Sequence, residues 1–70
     1  MSDKQQPYAE EASALGRDAA LARHRGDEYT PLQYQRRAQE IARYAPDPGA
    51  TRQAYREGYR AEYQRLRPKS

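Results

Sequence analysis

The fold is decided by residues 45–66, which read APDPGATRQAYREGYRAEYQRL. Pro46 disfavours helix at the residue before it, and Asp47 followed by Pro48 is the cap-plus-proline signal with which helices begin. After that signal, large apolar side chains recur at the three- and four-residue spacing of one helix face: Tyr55, Tyr59, Tyr63 and Leu66. The stretch therefore predicts a helix over 48–66 that follows a stiff double-proline link.

Prolines and a glycine also predict the bounds of two further helices in the rest of the chain. Pro7 is tolerated at the first position of a helix, and Gly26 can end that helix in a left-handed cap, which predicts a helix over 7–25. A second helix is predicted over 31–45, because Thr30 can cap it, a proline follows, and Gln33 completes a capping box.

Each of the two earlier helices also carries an apolar stripe. The first stripe consists of Tyr8, Ala12, Leu15, Ala19 and Ala22, and the second of Tyr34, Ala38, Ile41 and Ala45. Gly16 flanks the first stripe and Gly58 interrupts the third helix, so we expect these two helices to approach closely there. The pattern predicts an all-α fold, a small three-helix bundle over 7–67 with an Ala/Tyr core and flexible ends at 1–6 and 68–70.

Composition narrows the class of protein further. The chain has 70 residues, twelve of them alanine and seven tyrosine, with four leucines, one isoleucine and no valine, phenylalanine or tryptophan. This inventory argues against a β-sandwich, a membrane-spanning protein or an enzyme with a deep pocket. With no cysteine, neither a disulfide nor a thiolate-bound zinc can form. The first six residues are polar and lack the apolar region of a secretory signal, so the expected location is cytoplasmic.

Residue types that carry catalytic chemistry are sparse. His24, the one histidine, falls in the last turn of the first helix, where the helix dipole favours a cation. Glu10 and Glu11 are neighbours in sequence and diverge by about 100° on a helix, so they do not form an acid–base pair. The glycines are isolated, which excludes a phosphate-binding loop. We therefore expect a protein that is not an enzyme, with no catalytic residue, cofactor or metal ion.

Arginine is the unusual feature of the surface. The chain has eleven arginines and two lysines, and the net charge of +3 divides into −2 for residues 1–28 and +5 for residues 29–70. On the predicted third helix, arginines recur every four residues beside the tyrosines, which forms adjacent basic and aromatic ridges. Tyrosine and arginine dominate protein hot spots, and charge beside aromatic rings also suits nucleic acids. The predicted partner-binding residues are Arg52, Arg56, Arg60, Arg67, Arg36, Arg43 and Leu32.

A structural explanation competes with this interpretation. The tyrosine stripe can be core, and the arginine ridge can be a solvated flank that is partly neutralised at i,i+3 spacing, Glu57 with Arg60 and Glu62 with Arg65. Such exposed pairs contribute only about 0.2–0.5 kcal/mol each, which does not account for so many arginines.

In size, basic C-terminal half and absence of catalytic residues, the chain resembles small phage-encoded regulators that bind bacterial RNA polymerase. The resemblance implies a non-catalytic regulatory protein that modulates the transcription machinery by binding it, with its basic face near nucleic acid or an acidic surface of the polymerase. We also expect a monomer without a membrane partner. An alternative is direct nucleic-acid binding by a helical module with the third helix in the major groove, although the double-proline link is unlike the usual short turn. A third class is a toxin–antitoxin or other adaptor that orders on its partner.

Overall fold

The computed structural model describes residues 4–67, which form a bundle of three helices. The helices are α1 (Gln6–His24), α2 (Thr30–Tyr44) and α3 (Pro48–Leu66). The predicted three-helix fold is confirmed. The first two helices begin and end one residue earlier than predicted, and the third has the predicted bounds. The tails at 1–3 and 68–70, predicted to be flexible, lie outside the described residues.

The order of the helices is up, down, up. Gln5, at the start of α1, contacts Thr51 near the start of α3, and Arg23, at the end of α1, contacts Tyr59 farther along α3. The first and third helices therefore run parallel. The second runs back between their ends, because the backbone N–H of Asp47, just after α2, returns to the Gln5 side chain.

The closest packing joins α1 to α3 through two glycines. A Cβ atom at Gly16 would overlap the backbone carbonyl oxygen of Tyr55 and lie 2.8 Å from the backbone nitrogen of Tyr59. A Cβ atom at Gly58 would likewise overlap the backbone carbonyl oxygen of Ser13. The expected close approach of the two helices at these glycines is confirmed. The backbones meet here with no side chain between them.

Small side chains fill the rest of the interior. The buried apolar residues are Ala12, Leu15, Ala19, Ala20, Ala38, Ala42 and Ala45. Most alanines of the predicted stripes therefore lie in the core, with Ala20 and Ala42 in addition, whereas Ala22 is only half-buried. The tyrosine stripe does not, because Tyr55 and Tyr59 are half-buried and Tyr63 is 37% exposed. The expectation that tyrosines fill the core is corrected: helices in backbone contact leave no room for rings between them, so the rings lie along the edge of the interface.

The side chain of Gln5, just before α1, forms hydrogen bonds that join the start of α1 to the start of α3. The amide nitrogen of Gln5 donates to the hydroxyl of buried Thr51 at 2.8 Å, and its amide oxygen accepts from the backbone N–H of Asp47 at 2.9 Å. The structure differs here from the predicted flexible segment 1–6, since Gln5 bonds the start of α3 and Gln6 begins α1. One amide thus connects the start of α1 with the α2–α3 link.

The helix ends follow the sequence signals with one correction. Gly26 adopts φ +89° and ends α1 as predicted, with backbone bonds from Gly26 to Arg23 and from Asp27 to Ala22 that form a Schellman motif. Asp47 caps α3 by accepting from the backbone N–H of Ala50 at 3.0 Å.

The predicted cap of α2 at Thr30 is wrong. Asp27 supplies it instead, because one of its carboxylate oxygens accepts from the backbone N–H groups of Tyr29 and Thr30, at 2.9 Å each. The other oxygen accepts from the Thr30 hydroxyl. Thr30 is therefore a donor to the capping carboxylate, and its own side chain is not the acceptor that a capping box requires.

This cap makes the stability of the bundle depend on pH. The hydrogen bonds from Thr30 and Tyr29 hold the pKa of Asp27 below its ordinary value of 3.8. A lowered folded-state pKa contributes stability that is present above about pH 4 and is lost as the pH falls through the folded-state value. We expect the melting temperature of the native protein to exceed that of Asp27→Asn at pH 6, and the difference to shrink as the pH falls below 3.8 and through the lowered folded-state pKa of Asp27. Circular dichroism melts across this range measure it, and a difference that stays constant in acid would contradict the assignment.

Within residues 4–67, no helix is both long enough and apolar enough to cross a bilayer.

Candidate functional site: the groove between α2 and α3

A concavity of the surface lies where α2 and α3 part. Its volume is about 610 Å³. The α2 wall consists of Pro31, Leu32, Gln35, Ala38 and Gln39; the α3 wall consists of Arg52, Tyr55, Arg56, Tyr59 and Arg60; Arg23 and Glu28 close one end. These two helices touch each other less than either touches α1, which leaves the space open.

The α3 wall of the groove is basic. Arg52, Arg56 and Arg60 stand one helical turn apart, and within residues 4–67 none of them makes a side-chain hydrogen bond or an ion pair. The predicted pair of Glu57 with Arg60 is wrong, because the Glu57 carboxylate accepts from the Gln53 amide at 3.1 Å instead. The bare guanidinium groups are thus available to an external acceptor.

Of the arginines elsewhere, some have partners, whereas Arg25, Arg36, Arg43 and Arg67 make no side-chain hydrogen bond or ion pair within residues 4–67. Arg65 bonds Glu62 as predicted, and this bond holds the pKa of Glu62 below its usual range. Arg37 lies 4.0 Å from Glu11, a contact between two exposed side chains. The groove arginines are therefore distinguished by lying in one row along a concave surface, and not by the lack of a partner alone.

The tyrosines of α3 form a ladder, by which we mean Tyr55, Tyr59 and Tyr63. The ring centres of Tyr55 and Tyr59 are 6.4 Å apart, and those of Tyr59 and Tyr63 are 5.9 Å apart with only 6° between the planes. Burial, together with the neighbouring Tyr59 hydroxyl, raises the pKa of Tyr55. Tyr55 and Tyr59 line the groove and Tyr63 does not, and the planes of neighbouring rings are turned toward one another.

Arg23 completes the ladder from α1. Its guanidinium donates to the Tyr59 hydroxyl at 2.8 Å and lies 5.8 Å from the centre of the Tyr63 ring. The hydrogen bond to Tyr59 raises the pKa of Arg23 above its already high value. This side chain therefore stays charged at the end of the groove and covers one face of the last ring.

Comparison with known protein families, with curated proteins and with solved structures found no match. The groove is therefore interpreted from its own geometry.

The structure brings four of the predicted partner-binding residues together and leaves three apart. Arg52, Arg56, Arg60 and Leu32 line the groove, and Leu32 is 63% exposed on its rim. Arg36 lies on another side of α2, in a shallow depression with Gln33, Tyr34, Arg37 and Glu40. Arg43 and Arg67 are exposed and line neither concavity.

Sequence reasoning missed the residues that other elements contribute to the groove. Arg23 comes from α1, Glu28 from the following turn, and Gln35 and Gln39 from α2. Pro31, Gln35 and Gln39 follow one another at intervals of four residues, a spacing from which the sequence alone predicts that they share one face of α2. The contribution of Arg23 was not readable, because it depends on α1 and α3 running parallel.

The groove offers binding groups rather than reacting ones. Its titratable side chains are four arginines, two tyrosines and Glu28. Within residues 4–67, no three His, Asp or Glu side chains lie close enough together to hold a metal ion.

Proposed function

We propose that this protein is a small non-catalytic regulator that binds another protein through the groove between α2 and α3, and modulates the activity of that partner. The observation that carries the proposal is the combination of unpaired arginines, an exposed leucine and two stacked tyrosines along one open groove. Tyrosine and arginine are the residue types that contribute most to protein hot spots, especially where they surround a desolvated centre.

The tyrosine ladder favours a protein over a nucleic acid. Proteins that bind single strands offer open aromatic faces on which bases stack. Here the faces of neighbouring rings are turned toward one another, and Arg23 covers a face of Tyr63. The ring edges and hydroxyl groups that remain suit the side chains of a protein partner.

Among protein partners, bacterial RNA polymerase is the first to test, because of the resemblance in size and charge distribution to small phage-encoded regulators. Direct nucleic-acid binding is the second candidate function. It is favoured by the three unpaired arginines spaced along α3, which match the requirement for several phosphate contacts.

Photo-crosslinking from one groove position and one control position tests the proposal. A benzoylphenylalanine is placed at Gln39, which lines the groove, or at Gln64, an exposed glutamine of α3 that does not. Each variant is irradiated in a bacterial lysate with and without nuclease treatment. We expect a discrete protein adduct from position 39 that survives nuclease and is absent from position 64, and we test purified RNA polymerase for the same adduct.

Adducts that disappear on nuclease treatment would overturn the protein-binding proposal in favour of nucleic-acid binding. Equal adducts from both positions would overturn the assignment of the groove. An adduct with a protein other than polymerase would overturn only the identity of the first candidate.

A further inference from the structure

The chemistry of the groove defines the segment of a partner that fits it, an inference that rests on the proposed function. We infer that the groove binds an amphipathic acidic helix, which lies between α2 and α3 as the fourth member of the bundle. Three features carry the inference: the spacing of the arginines, the apolar surface between the two walls, and the absence of backbone groups able to pair with a strand.

The spacing of the arginines matches a helix. Arg52 and Arg60 are eight residues apart on α3, a rise of about 12 Å, with Arg56 halfway between. A partner helix that lies nearly parallel or antiparallel to α3 would place carboxylates at every fourth residue at the same interval of about 6 Å. Each arginine can then meet one carboxylate with its planar fork.

The charge around the groove specifies an acidic partner. Four arginines line it, and Glu28 is the one acidic residue among its lining side chains. Because Arg52, Arg56 and Arg60 make no side-chain hydrogen bond or ion pair within residues 4–67, no local bond has to break when they bind. Complementary charge also speeds the encounter of the two proteins.

The apolar part of the groove specifies the other face of the same helix. Half-buried Pro31 and Tyr55 contribute apolar surface to the two walls, and Leu32 lies exposed on the α2 rim. A partner helix with leucine-sized side chains beside its row of acids covers this surface. Two helices with a third laid into the groove between them reproduce the arrangement of a four-helix bundle.

The backbone hydrogen bonds of the partner also favour a helix over an extended segment in the groove. The N–H and C=O groups of α2 and α3 bond within their own helices, so these walls present no strand edge. An extended peptide would bury its own backbone groups there without partners, whereas a helix satisfies its backbone internally.

The test uses two synthetic peptides of about 14 residues, roughly four helical turns. In the aligned peptide, glutamates recur every four residues beside a row of leucines. In the scattered peptide, the same residues are reordered so that the glutamates surround the helix. Fluorescence anisotropy measures the affinity of each peptide for three proteins. These are the native protein, the groove double variant Arg56→Gln with Arg60→Gln, and the control double variant Arg25→Gln with Arg65→Gln. Both doubles remove two charges, and the control arginines do not line the groove.

We expect the aligned peptide to bind the native protein at least tenfold more tightly than the scattered one, and to gain helical circular dichroism on binding. The groove double variant should lose at least tenfold in affinity for the aligned peptide, and the control double should stay within about twofold. Melting curves establish that both variants are folded.

Equal affinity for the two peptides, or equal losses in the two double variants, would overturn the inference. Tighter binding of a single-stranded oligonucleotide of the same charge would overturn the inference in favour of nucleic acid. For three phosphate contacts, the logarithm of its binding constant should then fall against the logarithm of salt concentration with a slope of about −2. The peptide result is separable from the proposed function. If position 39 cross-links to a protein and the aligned peptide shows no preference, the protein-binding proposal stands and the acidic helix is wrong.

Discussion

Replacing Gly16 with alanine is expected to destabilise the protein and to lower its melting temperature. The new Cβ would overlap the backbone carbonyl oxygen of Tyr55 and press on the backbone nitrogen of Tyr59, 2.8 Å away. Neither atom can move aside as a flexible side chain could, so α1 and α3 must separate along their closest contact. Overpacking of this kind costs about 1–3 kcal/mol, which exceeds the gain of up to about 1 kcal/mol that alanine brings to a helix interior. A bundle of this size has only a few kcal/mol to lose.

The control for this prediction is another glycine of the same chain. Gly49 lies in the first turn of α3, and a Cβ there meets only the Asp47 carboxylate, at an ordinary 3.6 Å. Gly49→Ala should therefore leave the melting temperature unchanged or raise it. Thermal melts followed by circular dichroism compare the two variants. A Gly16→Ala protein as stable as the Gly49→Ala protein would show that the two helices are not in backbone contact.

Truncation of Tyr59 is expected to be the most costly loss of any single tyrosine. This ring stacks between Tyr55 and Tyr63, and its hydroxyl accepts from Arg23. Because the side chain is half-buried, we expect Tyr59→Ala to cost roughly 2 kcal/mol, below the 3–5 kcal/mol typical of a fully buried aromatic. Urea denaturation measures the difference in unfolding free energy.

Two further variants separate the contributions to this effect. Tyr59→Phe keeps the stacked ring and removes the bond from Arg23, so it should be much milder than the alanine variant. Tyr44→Ala removes a tyrosine that is 77% exposed at the end of α2 and should leave stability nearly unchanged. If Tyr59→Ala proved as mild as Tyr44→Ala, the ladder would contribute nothing to folding and would belong wholly to the binding surface.

The sequence predicts the helices well because their ends depend on local chemistry. The Asp47–Pro48 signal places the start of α3 at the observed residue, and Gly26 takes the left-handed conformation that ends α1. The sequence pattern places the cap of α2 at Thr30, whereas the side chain that accepts backbone N–H groups ahead of this helix is that of Asp27, two residues before the N-cap position. Both residues can cap, and only the path of the turn decides which side chain accepts the backbone N–H groups.

Packing between helices is only partly predictable from the same sequence. Gly16 and Gly58 indicated a close approach of α1 and α3, and the structure has it. The tyrosine stripe was expected to point inward, since a helical stripe of large residues usually marks the core. Because the backbones of α1 and α3 meet at the glycines, the interface is centred there and the tyrosine rings lie at its edge. This arrangement depends on how two helices pack together, so the pattern of one helix alone does not predict it.

The parallel course of α1 and α3 determines the order in which the chain can fold. The helix that packs most closely on α1 is not its neighbour in sequence, since the bonds that join the two helices span 46 residues at Gln5 and 36 residues at Arg23. A hairpin of α1 and α2 lacks the glycine contact, so it gains little until α3 arrives and closes the long loop. We therefore expect the transition state to include α1 and α3, and folding to be slower than in a bundle whose sequence neighbours pack in turn. After cleavage of the α2–α3 link, we expect the α1–α2 fragment on its own to be less stable than the intact bundle.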